Sequence, residues 1–104
     1  MRSISEADWK VYRQLHPILL NRYCQQVLKE IGNIGSENEK SEHERYLAIY
    51  QAIQRHDQEI ELLFNNPRRS SALMQIMTIN NRGLFTKEEL ILFSDDIHAL
   101  FSRF

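Results

Sequence analysis

The chain has 104 residues, 42% of them hydrophobic and 26% charged, with a formal net charge of −1. That length fits one domain over residues 1–104 and excludes a second full-sized core. The lone cysteine, Cys24, excludes an internal disulfide scaffold, and near-balanced charge excludes a polybasic arm that binds by phosphate neutralisation alone.

Glu6 and Asp8 follow the first five residues, where a secretory signal would need about 7–15 apolar ones. No apolar run, Leu90 to Phe93 included, approaches the roughly 20 residues that cross a bilayer. A cytoplasmic, non-membrane protein is the expectation, with Cys24 reduced and set among Tyr23, Val27 and Leu28.

Three glycines and two prolines argue against a turn-rich β architecture, and the apolar residues recur at helical spacing. Ser5 and Asp8 form a Ser-x-x-Asp box that opens a first helix. Its stripe is Tyr12, Leu15, Leu19, Tyr23, Val27 and Ile31, and it ends at Gly32 or Gly35 in a left-handed cap. Pro17 removes a backbone donor and predicts a kink, or two helices meeting at His16. A polar linker covers Asn33 to Lys40.

Ser41 and Glu44 form a capping box for the second helix, whose apolar face reads Tyr46, Leu47, Tyr50, Ile53, Ile60, Leu63 and Phe64. Asn66 is the expected N-cap of a third helix, with Pro67 at its first position and Gly83 as its stop. Thr86 and Glu89 box a fourth helix, and Ser94 caps a fifth. The predicted architecture is all-α: a small bundle of two long antiparallel helices, the first kinked at Pro17, plus three short C-terminal helices.

Asp57 falls in the second helix's stripe, where a carboxylate needs a partner. Arg22 is the matching anomaly in the first helix, so a buried Asp57–Arg22 pair is one expectation, with Arg68 and Arg69 as alternative partners. Arg68, Arg69, Ser70 and Ser71 open the third helix, where free N–H groups and the helix dipole attract anions. No acidic residue lies from Leu62 to Thr86, so these arginines need an anion, either external or from Asp57 or Glu61.

Leu73 to Phe104 has an outline like a helix-turn-helix, but its reading helix would offer Asp95 and Asp96 to the phosphates. Nucleic acid is therefore disfavoured as a partner. The four histidines lack ligand spacing, and no phosphate loop is present, so no catalytic residue, metal site or cofactor is expected. An enzyme around Asp57 and His56 ranks third. Phe93, Ile97, Leu100, Phe101 and Phe104 give an apolar C-terminal end, which predicts a homodimer or another protein partner there. The functional expectation is a non-enzymatic interaction or regulatory protein that self-associates. Anion binding, of phosphate or nucleic acid, at the Arg68-Arg69-Ser70-Ser71 helix start is the alternative.

Overall fold

The computed structural model describes residues 4–102 and contains five α-helices. They are α1 (Glu6–Gly35), α2 (Glu42–Phe64), α3 (Arg69–Asn81), α4 (Lys87–Ile91) and α5 (Asp95–Phe101). Among the described residues there is no strand, and no helix is long and apolar enough to cross a membrane.

α1 is one helix that runs through Pro17, not two helices meeting at His16. Pro17 is exposed, so its ring takes no space from the core, and the Arg13 carbonyl loses its hydrogen bond within the helix. Neither Gly32 nor Gly35 makes a left-handed cap. Both lie inside α1, which closes at Ser36 with φ −99°. The Gly35 carbonyl is satisfied from the next helix, by Arg45 Nη1 at 2.7 Å. Ser41 and Glu44 then make the full capping box that starts α2.

A short connection forces α1 and α2 to pack antiparallel. Their contacts run in opposite senses along the chain: Arg45 meets Gly35, Arg55 meets Glu30, and His16 meets the Phe64 carbonyl. α3 lies against both long helices, and α5 packs on α3. The core gathers at one end of the hairpin. In α1 the buried positions stop at Tyr23, and in α2 they begin at Ala52. The other end is two helices with no third element over them, which gives an elongated molecule of 51 × 24 × 24 Å.

The third helix begins two residues later than its sequence suggests. Asn66 has φ +47°, a left-handed conformation that asparagine tolerates, so Asn65-Asn66-Pro67 turns the chain instead of starting a helix. Arg68 is the N-cap, and its side chain caps nothing. The end of α3 follows expectation. Gly83 has φ +68°, its N–H donates to the Asn80 carbonyl at 2.9 Å, and the Leu84 N–H donates to Ile79 at 3.4 Å. This is a Schellman closure, and it needs a residue without Cβ strain. A Cβ at Gly83 would touch nothing within 4 Å, so the cost of Gly83→Ala is backbone strain alone. Thermal unfolding should show a loss of about 1 kcal/mol.

Candidate functional site

At the arginine-serine start of α3, Arg69 is paired from within. Arg69 Nη1 donates to Glu6 at 2.9 Å, and its Nε donates to the Ile4 carbonyl at 2.9 Å. With the Asn66 amide oxygen turned towards it, Arg68 donates through Nη2 and Nε at 2.9 and 3.1 Å. The Ser71 hydroxyl donates back to the Arg68 carbonyl, and Ser70 is exposed. Arg82, the third positive charge, pairs with Glu59. The anion beside Arg69 is therefore Glu6, not Asp57 or Glu61, because the start of α1 lies next to the start of α3.

The Asp57–Arg22 pair does not form. Midway along α2 the inward positions are Ala52 and His56, one residue before the stripe that hydropathy suggests, whereas Leu63 and Phe64 at its end are buried as that face predicts. Helical residues advance by about 100° each, so Asp57 is turned outward and is exposed. Arg22 lies on the opposite flank of the hairpin. It makes a two-pronged bond to Glu89, Nη1 to Oε1 at 2.8 Å and Nη2 to Oε2 at 2.9 Å. Nη1 also donates to the Leu84 carbonyl at 2.7 Å. Glu89 is the capping-box residue of α4, and Arg22 holds its carboxyl below the ordinary glutamate range.

Asp8 carries a role that its local pattern hides. Its N–H caps onto Ser5, as a Ser-x-x-Asp box requires. Its carboxylate, only 3% of the residue being exposed, reaches across to α5 instead. Oδ1 accepts from the Ser94 N–H at 2.8 Å, and Oδ2 accepts from the Ser94 and Ser5 hydroxyls at 2.7 and 3.0 Å. Nothing near Asp8 in sequence signals a partner 86 residues away.

The seam between the long helices holds a second polar chain. Tyr23 Oη lies 2.8 Å from His56 Nδ1, and His56 Nε2 lies 3.1 Å from Glu30, which also accepts from Arg55 at 2.7 Å. With Nε2–H donated to Glu30, Nδ1 accepts the Tyr23 hydroxyl. Burial pushes the Tyr23 phenol above the ordinary range, so it stays protonated at neutral pH. The arrangement ties α1 to α2. A parallel bond, Tyr12 to Gln75 at 2.6 Å, ties α1 to α3.

The aromatic C-terminal end also turns inward. Phe93 and Ile97 are buried in the molecule's own core. Phe93 stands edge-on to both Phe85 and Phe101, and the three ring centroids lie 5.6–6.4 Å apart. Leu100 and Phe101 are half-buried, and Phe104 lies outside the described residues. The short C-terminal helices fold their aromatics into the shared core, so Phe93 and Ile97, 4% and 3% exposed, offer no surface to a second chain.

What remains uncovered lies elsewhere, on one flank of the α1–α2 hairpin. Tyr46, Tyr50 and Ile53 of α2 are 61%, 53% and 46% exposed. On α1, Leu20, Cys24, Val27 and Ile31 follow one stripe and are half-buried. For two antiparallel helices, the same angular offset from the inward direction falls on the same flank of both, which places these two rows side by side. Leu20 and Ile60 line one shallow depression together, as that register requires. The opposite flank carries the ion pairs Arg22–Glu89, Arg55–Glu30 and Arg82–Glu59. One side of the hairpin thus carries the ion pairs, with Leu62 exposed among them, and the other is mainly apolar, interrupted by Asp57 between Ile53 and Ile60.

Comparison with family models, curated proteins and solved structures found no match to this chain. Among the described residues, no group of three or more His, Cys, Asp or Glu side chains is placed to hold a metal ion.

Proposed function

We propose that this protein acts by binding another protein chain, as a non-enzymatic interaction module, through the apolar flank of its hairpin. The carrying observation is the exposure of Tyr46, Tyr50 and Ile53 beside a half-buried apolar row, on a hairpin whose other flank carries the ion pairs. Scattered apolar residues are normal on a surface, but a contiguous apolar strip framed by polar residues marks a place of association. Aromatic side chains supply large contact area at low entropic cost, which suits them to the centre of an interface. A single cysteine, Cys24, which has no second cysteine in the chain to pair with, fits a cytoplasmic setting for this role.

The test is a double substitution, Tyr46→Glu with Tyr50→Glu. Both side chains are exposed, so helicity and melting temperature should stay close to wild type. In cell extract the wild-type chain should run as a larger species and the variant as a 12.4 kDa monomer. Identical sizes for the two would overturn the reading.

A further inference from the structure

We infer that the cleft where the starts of α1 and α5 meet α3 binds an aliphatic primary ammonium group. The cleft has a volume of about 320 Å³, at the lower end of the range for small-ligand sites. Its walls are of two kinds. Ile4, Leu73, Ile97 and Leu100 supply apolar surface, and Asp8 and Asp96 supply carboxylates. Asp96 is exposed, whereas Asp8 is buried.

The Asp8 carboxylate is hydrogen-bonded, but its charge is unmatched. Its three bonds come from neutral donors, the Ser94 N–H and the Ser5 and Ser94 hydroxyls. Oδ2 takes two of them and Oδ1 takes one, so Oδ1 keeps a free lone pair. Among the described residues, no cation pairs with Asp8 or Asp96. Arg69, whose Nε reaches the Ile4 carbonyl, pairs with Glu6 instead, and His98 stands edge-on to Phe101. Asp95 and Asp96 occupy the first turn of α5, so with Asp8 three carboxylates gather at the start of a seven-residue helix. The helix dipole places about half a positive charge there, which offsets only part of one carboxylate. The surplus is negative, and it lies against apolar walls, where charges act more strongly than in open water.

A fitting cation is compact at its charged end and apolar behind it. An ammonium carries three donors on one small centre, enough for Asp8 Oδ1, Asp96 and a water. A planar guanidinium binds through two parallel donors, and Asp8 has one free lone pair to offer. An aliphatic stem of about four carbons, the length of a lysine side chain, then lies along Leu73 and Leu100. A free alkylamine and the lysine of another chain share this chemistry.

The experiment is an NMR titration of the labelled full chain at neutral pH with n-pentylamine, 1-pentanol and Nα-acetyl-lysine methylamide. Pentylamine should move the signals of Leu73, Ile97 and Leu100 and reach saturation. Pentanol should bind about tenfold more weakly, because it lacks the charge that meets Asp8. Asp96→Asn, at an exposed position, should keep the melting temperature and weaken pentylamine about threefold, as loss of one exposed ion pair does. Added salt should weaken pentylamine and leave pentanol unchanged. Tighter binding of the lysine derivative assigns the ammonium to a lysine of another chain, and tighter binding of pentylamine assigns it to a free amine. Pentanol binding as well as pentylamine, shifts that never saturate, or shifts centred outside the cleft overturn the site. Unchanged pentylamine affinity in Asp96→Asn overturns recognition of charge by the two carboxylates. The hairpin tyrosines do not line this cleft, so its failure leaves the reading of the apolar flank standing.

Discussion

Asp8→Ala should lower stability by about 3 kcal/mol, which for a domain of this size corresponds to roughly 12–24 °C in melting temperature. Asp8 accepts three hydrogen bonds, and one of them comes from the backbone N–H of Ser94, the residue that starts α5. Alanine would leave that N–H and the partly buried Ser94 hydroxyl without a partner, and an unmade buried bond costs the full desolvation of the group. It would also detach α5 from α1, although Ile97 would still hold it by apolar contact. Asp8→Asn keeps one carbonyl acceptor and should lose about 1 kcal/mol. Thermal or urea unfolding measures both. Losses below 1 kcal/mol for alanine would mean that Ser94 finds another acceptor.

The second large effect concerns Arg22 and Glu89. Removing either partner should cost about 2 kcal/mol, less than for a fully buried pair, because both side chains retain some access to water. A double-mutant cycle with Arg22→Met and Glu89→Gln should show coupling, because the groups act as one unit. The pair also sets a pH dependence. Arg22 depresses the carboxyl of folded Glu89 below its unfolded value. The resulting stability is present above the ordinary glutamate pKa of about 4.3 and is lost as pH falls through the lower folded value. Arg22→Met should flatten that acid limb. An unchanged acid limb would show that Glu89 titrates alike in both states.

The helices themselves were legible because their ends carry local chemistry. Ser41 with Glu44, Thr86 with Glu89, and Gly83 each sit where the structure places them, since a cap depends on residues three apart. Side-chain pairing was less legible. Glu89 already had a local explanation as a capping residue, which concealed its second task of receiving Arg22. Asp8 was concealed in the same way by Ser5. The identity of the inward face of α2 was the costliest ambiguity. Hydropathy favours the row through Tyr46, Tyr50 and Ile53, but the helices approach on Ala52, where a small side chain allows close contact, and on His56, which bonds to both Tyr23 and Glu30. That shift of one residue moves Asp57 out to solvent and leaves the tyrosines uncovered.

The C-terminal phenylalanines show the converse. Their apolar density suggested a partner surface, yet Phe85, Phe93 and Phe101 satisfy one another within the chain. Apolar density alone does not distinguish a core from an interface; the register of the packing does.

Residue-resolved NMR of the labelled chain, alone and in unlabelled cell extract, tests the association face most directly. Signals of residues 20–31 in α1 and 46–60 in α2 should shift or broaden together in extract, while those of Phe93 and Ile97 stay fixed. Changes centred on α5, or none in extract, would contradict the hairpin flank as the binding face.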